Sequence, residues 1–425
     1  MPSNRAYNDL DIVQPTQYVV KPNRTARNPP PEPWELPNYE PFVVDDYDDH
    51  GEPNLPPDVN QRDPFALFAL FFTEDIMDKL VQWTNNFAEA HPTPEEKAPK
   101  GRPRPWQPTF REELYAYFGV LIHMGISTES SIEDYWGSLE THGSEHIVKK
   151  YISLVRFQQI DRYFRATEPW PEDNLTPKST FNRVNDLSEH LRLLCRKLYT
   201  PGTHLAVDKT IERFMGRAPE IVNIPSKPTP EGFKIWVLAN EGYVLDWIWH
   251  AKGENKGPVD LDTSFTQDEG FSKTQAVVLD FVAQRHELTE ERLYPPGKHV
   301  VWLDNLFTSV KLLRQLRELG VGAAGTVRTT KTKREELGDE EGDIQEEIPA
   351  KKGWKKKVPT EQINQRLADL KLVHSAQIPW GKLYGLTSKD YQVMEFAWKD
   401  ANVVLFMSTV HNGRLLSLIF NFYHL

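Results

Sequence analysis

The chain of 425 residues holds a single cysteine, Cys195. One thiol cannot close an internal disulfide, and its isolation excludes a Cys-rich zinc module. That scarcity points to a reducing compartment. Long hydrophobic runs are also missing. "FALFALFF", Phe65 to Phe72, is far too short to span a bilayer, so no membrane partner is expected. The amino-terminal stretch is polar and Pro-rich, which does not fit a secretory signal. No internal repeat is present. Net positive charge is lacking too: 50 Lys and Arg stand against 61 Asp and Glu, a formal charge of −11. Taken whole, that argues against a nucleic-acid partner. Its distribution weakens the objection. Residues 1–60 hold four Lys or Arg and eleven Asp or Glu, so most of the imbalance lies there. The remaining chain is close enough to neutral to present basic patches.

What is present reads as a globular protein of more than one domain, 39% hydrophobic and 26% charged. Residues 1–62, with "NPPPEPWELPNYEP" and "DDYDDH", are expected to be a disordered acidic tail. Residues 63–200 read as helical. In "TEDIMDKLVQWTNNFAEA", Thr73 is the expected N-cap, and Ile76, Leu80, Trp83 and Phe87 recur at helical spacing. "TFREELYAYFGVLIHMGI" shows a capping-box pattern at Thr109 and Glu112, with Leu114, Phe118 and Leu121 on one face. "SLVRFQQIDRYFRA" gives a further helix through Phe157, Ile160 and Phe164.

From His204 the period shortens. "HLAVDKTIERF" reads as a strand, and "GFKIWVLANEGYVLDWIWHAKG" as two strands around the turn "NEGY". "TQAVVLDFVAQ" fits helix or strand, with helix favoured. "HVVWLD" is a short apolar strand. "TSVKLLRQLRELG" follows as a helix, capped by Thr308 or Ser309 and stopped by Gly320. Residues 201–329 therefore form an α/β domain with a mixed sheet. Residues 330–389 are a charged insertion, expected to be mobile. Residues 390–425 return to the sheet with a hairpin, "VMEFAWKDANVVLFMSTVH".

Two aspartates occupy matching places. Asp208 lies in or at the end of "HLAVD", and Asp304 ends "HVVWLD". Functional groups in α/β folds gather beyond strand ends, where a rigid scaffold holds them. Two such carboxylates brought together would repel, and would share a proton or bind a hard cation such as Mg²⁺. Spacing alone supports this weakly, because a strand-end Asp is more often a turn or cap residue. Asn305 and Thr308 fit simple turn chemistry equally well.

Several blocks carry a resemblance. "AVDKTIERFMGRAPEIVNIPSKPTPEGFKIWVLANEGYVLDWIWHAKG", "VVWLDNLFTS" and "GTVRTTKTKRE" resemble the transposase domain of piggyBac-like elements, the fungal type most. "LYAYFGVLIHMGI", "SSIEDYW" and "VRFQQIDRYFR" are similar to the helical region of the same family, and "QIPWGKLYG" and "AWKDANVVLFMSTVH" match later in order. The resemblance covers roughly Phe65 to His411. It implies an RNase H-like domain preceded by a helical dimerisation and DNA-binding region. It also implies a nuclear location, double-stranded DNA as partner, transposon ends cut to hairpins, and insertion at TTAA. Three catalytic aspartates would hold two divalent metals, Mg²⁺ or Mn²⁺. By motif match Asp208 is the first and Asp304 the second, each a catalytic residue and metal ligand.

The sequence departs from that pattern in two ways. No block resembling "GVDxxDQ" supplies the third aspartate, and the acids after Asp304 (Asp339, Asp343, Asp369, Asp390 and Asp400) sit in other contexts. No Cys-rich carboxy-terminal domain is present. Where the family commonly has an acid after the first aspartate, this chain has Lys209. Alternation along a strand would let it face away from the site. Inside the site it would compete with a metal. A weak or partial metal site is expected. The chain then reads as a C-terminally truncated, transposase-derived protein that is inactive in cleavage and strand transfer. Two alternatives remain: a domesticated, non-catalytic DNA-binding or interaction protein that forms a homodimer through its helical region, and an active transposase with an incomplete gene model.

Arg217 in "GRAP", Lys227 in "PSKP" and Arg328 in "GTVR" match positions that are basic in the family and are candidate DNA-phosphate contacts. Solvated basic side chains are the competing explanation. "KGRPRP" and "KKGWKKK" carry the same ambiguity. Trp236, Trp247, Trp249 and Trp302 alternate within strands, which favours core packing over base stacking. His142 and His146 in "HGSEH" lack a third ligand and read as surface residues.

Overall fold

The computed structural model describes residues 39–45, 47–92, 105–138, 145–168, 180–225, 227–251, 257–261, 264–267, 270–286, 288–327, 383–388, 390–399 and 402–412. They divide into two compact units, one of Tyr47–Phe281 and one of Met1–Asp46 with Val282–Leu425. Of the tail expected to be disordered, 1–62, residues 1–38 lie outside the described residues, whereas Glu52–Pro53 forms a strand and the Phe42 amide donates to the Thr409 carbonyl, contacts with distant segments ordering what composition alone would not. Of the charged insertion expected over 330–389, residues 330–382 lie outside the described residues and Leu383–Thr387 forms a strand.

In the Tyr47–Phe281 unit, β1 (Glu52–Pro53) pairs antiparallel with β2 (Tyr199–Thr200), the strand that follows the helices. Between them run α1 (Pro64–Phe71), α2 (Glu74–Ala90), α3 (Arg111–Ile126), α4 (Leu154–Tyr163) and α5 (Asn185–Lys197). Asp63 starts α1 by accepting the amide of Phe65, and Ser153 starts α4 by accepting that of Arg156. Apolar side chains at helical spacing meet in one core that includes Ile76, Leu80, Trp83, Leu114, Tyr117, Phe157 and Ile160. The buried face of α3 is Leu114, Tyr117 and Val120, whereas Leu121 is exposed. The expected stripe was thus rotated: a mostly apolar helix offers several stripes, and packing selects among them.

The capping pattern at Thr109 also resolves differently. Phe110 is the N-cap of α3, and the Thr109 hydroxyl donates to Glu113, not Glu112, at 2.7 Å. Glu113 in turn receives both arms of the Arg156 guanidinium at 2.6 Å each, and that guanidinium lies 4.6 Å from the Trp106 ring centre. Burial pushes the Glu113 carboxyl up, but the Arg156 and Thr109 hydrogen bonds outweigh it and hold it below its ordinary value. A depressed carboxylate stabilises above its unfolded pKa and loses that contribution as pH falls through its folded value. Glu113→Gln should therefore cost about 2 kcal/mol at neutral pH, and the gap to the parent should close in acid below the ordinary glutamate range. Urea unfolding at a series of pH values reads this.

The sheet of this unit is built from β3 (His204–Arg213), β4 (Val222–Asn223), β5 (Glu231–Asn240), β6 (Tyr243–Ala251) and β7 (Gly257–Pro258). β3, β4 and β6 each pair antiparallel with β5, and β7 pairs with β6. The β5–β6 hairpin turns at Glu241 and Gly242, both with positive φ, as the "NEGY" turn requires. After the short α6 (Ser264–Gln267) comes α7 (Lys273–Ala283). Ser272 and Gln275 cap α7 reciprocally, Ser272 Oγ taking the Gln275 amide and Gln275 Oε1 the Ser272 amide. Ala276, Val277, Val278, Leu279 and Phe281 are all buried. The continuous apolar run Ala276–Leu279 shows no helical period by itself, which is why its sequence also fitted a strand.

In the other unit, β8 (Val300–Leu303) lies parallel to β9 (Gly322–Thr326), joined by α8 (Val310–Glu318). β10 (Leu383–Thr387), β11 (Met394–Lys399) and β12 (Val403–Ser408) extend it in the order β10-β11-β12-β9-β8, with antiparallel pairs. This is the expected mixed α/β architecture. Ser309 caps α8 by accepting the Leu312 amide, and Gly320, at φ 72°, ends it. Residues 39–45 strap onto this unit: the Tyr39 hydroxyl donates to the Gln392 carbonyl, and the Phe42 amide to that of Thr409.

Candidate metal and nucleic-acid site

β3 presents Asp208 through strand alternation. Leu205 and Val207 are buried, while Ala206 and Asp208 are exposed. Opposite them on β5, Asp208 pairs with Val237 and Lys209 with Trp236, so the Lys209 side chain starts on the other face. Its long stem nevertheless returns the ammonium to 3.6 Å from Asp208 Oδ1. The Lys209 side chain is 15% exposed and that of Asp208 64%. Alternation alone did not keep the cation away from the carboxylate, because the reach of lysine exceeds the pleat.

Asp304 follows the buried strand β8 and starts the turn into α8. Its carbonyl accepts the amides of Phe307 at 3.0 Å and Thr308 at 3.3 Å, and the Thr308 hydroxyl at 3.1 Å. Its carboxylate Oδ1 takes the Asn305 amide at 2.6 Å. A Cβ on Gly325 of β9 would lie 2.3 Å from the Thr308 hydroxyl, so the glycine gives this turn its room. The turn chemistry expected of Asn305 and Thr308 is real, and it fixes Asp304 rigidly. Asp208 and Asp304 belong to different compact units.

A two-metal centre needs more ligands than these. Among the described residues no group of three or more His, Cys, Asp or Glu is placed to hold a metal ion. Asp390 is committed to a turn, taking the Ser388 hydroxyl at 2.5 Å and Arg314 Nε at 2.6 Å. Burial raises its carboxyl, but Ser388, the Gln392 amide and Arg314 together hold it below its ordinary value. Asp339, Asp343, Asp369 and Asp400 lie outside the described residues. With Lys209 beside Asp208, the donors described do not fit a pair of divalent ions.

Of the basic candidates, Arg217 and Lys227 are exposed on the β3–β4 and β4–β5 connections. Arg217 lines a cavity of about 500 Å³ with Gly216, Pro219, Asn223 and Glu231. Lys227 lines a second, of about 210 Å³. Arg328 lies outside the described residues, as do "KKGWKKK" and all of "KGRPRP" but its last proline. The tryptophans pack as expected. Trp236 is buried, Trp247 Nε1 donates to Ser188, Trp249 stacks on Phe181, and Trp302 meets His411.

One expectation was wrong. His146 is buried, not at the surface: its Nε2 lies 2.6 Å from Glu129 Oε1 and its Nδ1 2.9 Å from His123 Nε2, with Tyr135 against the ring. Its partners come from α3 and the following loop, which local spacing cannot reveal. His142 lies outside the described residues.

Comparison with known proteins follows the same lines. A family model described as Transposase IS4 matches residues 63–419. Human PiggyBac transposable element-derived protein 2 is 26% identical over 284 residues, covering 65% of this chain and 42% of that protein. Human PiggyBac transposable element-derived protein 3 is 24% identical over 268 residues, covering 63% and 40%. The chain thus spans about two fifths of the curated relatives it matches. The cryo-EM structure of a piggyBac transposase synaptic complex with hairpin DNA shares the fold at a TM-score of 0.58 and 22% identity, over 83% of this chain and 62% of that one.

Proposed function

Because the chain belongs to the Transposase IS4 family as a piggyBac-like member, we propose that it binds double-stranded DNA in the nucleus without cutting or joining it. Its DNA would be of the transposon-end or TTAA type that the family resemblance implies. Arg217, Lys227 and Arg328 supply phosphate contacts in this reading, and the structural neighbour bound to hairpin DNA supports such a partner. Asp208 and Asp304 are assigned as the remaining catalytic carboxylates. Transposases of this type use divalent ions, and each of these acids taken by itself would ligate Mg²⁺ or Mn²⁺ only weakly.

The observation that carries the inactive reading is the Lys209 ammonium 3.6 Å from Asp208. A cation there opposes a second positive charge at the same carboxylate. Among the described residues no group of three or more His, Cys, Asp or Glu is placed to add the ligands that an in-line displacement by two metals needs. Incubating the protein with a pre-cut transposon end, a TTAA-containing duplex, and Mg²⁺ or Mn²⁺ should give no joined product above the protein-free control. Robust joining overturns the proposal.

A second reading, an interaction protein that dimerises through its helices, is favoured by exposed Ile122, Ile126, Ile147 and Tyr151 in the helical region. Sedimentation of the protein with and without duplex DNA separates the two: a DNA-free dimer that binds no duplex supports the second.

A further inference from the structure

The smaller cavity of the Tyr47–Phe281 unit, about 210 Å³, gathers Lys209, Lys227 and Lys234 with Thr210 and Thr229, and no acid lines it. The gathering follows from register. Ile211 faces Lys234 and Lys209 faces Trp236 across β3 and β5, so the two lysines are diagonal neighbours on one face. The loop between β4 and β5 adds Lys227 from the side. Lys234 is further held by the Trp236 ring, with Nζ 3.7 Å from the ring centre.

Burial, and then Lys209, bring the Lys234 ammonium down to about 8. Burial, then Lys234 and Lys273, hold the His250 imidazole down at about 4, with its ring against Trp236. Collecting three ammonium groups costs self-repulsion, which a bound anion would relieve. Of the three, Lys209 already has a carboxylate beside it, that of Asp208 at 3.6 Å.

We propose that this cavity is an oxyanion site that takes a phosphate group through Lys209, Lys227 and Lys234 without a metal ion. Thr229, on the same loop as Lys227, adds a hydroxyl-bearing residue to its wall. The phosphate would come from a nucleic-acid backbone or from free phosphate; only the first source rests on the DNA-binding reading above. Lys209, which sits where the family commonly has an acid, thereby turns a metal-side position into a phosphate-side one.

The test uses the full chain with chelator present throughout. Inorganic phosphate is followed by ³¹P line broadening, and a short duplex by fluorescence anisotropy at fixed salt. The parent protein should broaden the phosphate signal. Lys209→Gln and Lys234→Gln should each weaken phosphate binding about tenfold, while Lys79→Gln, at an exposed position of α2, should not. Circular dichroism and melting confirm that each variant folds, and Lys209→Arg, which keeps the charge, should retain most binding. Parallel loss of duplex affinity identifies the backbone as the source, and loss of phosphate alone identifies free phosphate. A parent that leaves the phosphate signal unchanged, or variants that bind as the parent does, overturns the site. Duplex binding that persists in that case leaves the DNA reading standing. Phosphate binding with no duplex binding defeats the DNA reading and not the site.

Discussion

Duplex affinity should fall steeply with salt despite the formal charge of −11. The reasoning starts from counterion release: each phosphate neutralised by Lys or Arg contributes about −0.9 to the slope of log affinity against log salt. Arg217, Lys227 and Arg328 together give a slope of about −2.7. Raising salt from about 50 to about 200 mM should then weaken binding about 40-fold. The double substitution Arg217→Ala with Lys227→Ala should remove about 1.8 from that slope. Arg217 and Lys227 are exposed, so the substitutions leave no buried partner stranded and should not unfold the protein. A net-negative chain binding through global charge would show no such slope. Anisotropy titrations at a series of salt concentrations measure it directly, and a flat response rules out these residues as phosphate contacts.

The largest stability effect should come from Asp246→Ala. The Asp246 side chain is fully buried on β6, with Arg192 Nε at 2.5 Å and Arg196 Nη1 at 3.3 Å. Arg192 also reaches Glu189 at 2.6 Å, and Asp246 Oδ1 accepts the Trp247 amide at 2.7 Å. Removing the carboxylate leaves two guanidinium groups of α5 beside the vacated position, both held mostly out of water. Breaking one side of a buried pair in this way costs about 3–5 kcal/mol. Replacing all three charged groups with apolar residues of similar volume should cost far less, since the pair's own desolvation penalty disappears too. Urea unfolding of the two variants separates the cases; equal losses would mean that burial of charge is not what the network manages.

Local signals were legible in the sequence. The "NEGY" hairpin, the Ser309 cap, the Gly320 stop and the mixed sheet follow from turn chemistry and period, and the structure has them. The piggyBac-like family was legible too, because many separate motifs occur in order. What stayed hidden depends on contacts between distant segments. Val120 rather than Leu121 faces the helical core because α2 and α4 decide which stripe is covered. His146 is buried because His123 and Glu129 meet it. The approach of Lys209 to Asp208 is a matter of side-chain reach, which a strand's alternation does not limit. The lysine cavity needed the β3–β5 register, which fixes Lys234 diagonal to Lys209. Asp246 lay inside the matched motif block, and nothing local marked it as the centre of an ion network with α5.

The most direct measurement is duplex-DNA affinity of the parent chain and of the Asp208→Ala, Asp304→Ala double variant, each in excess chelator and in Mg²⁺. A protein that grips phosphates through Lys and Arg should bind at least as tightly in chelator as in Mg²⁺, which competes for the phosphates, and should keep or gain affinity when the two carboxylates are removed, since Asp208 no longer faces Lys209. A loss of about tenfold or more on removing either the metal or the two carboxylates would contradict it, and would return a metal-held nucleic-acid site to the centre of this chain's function.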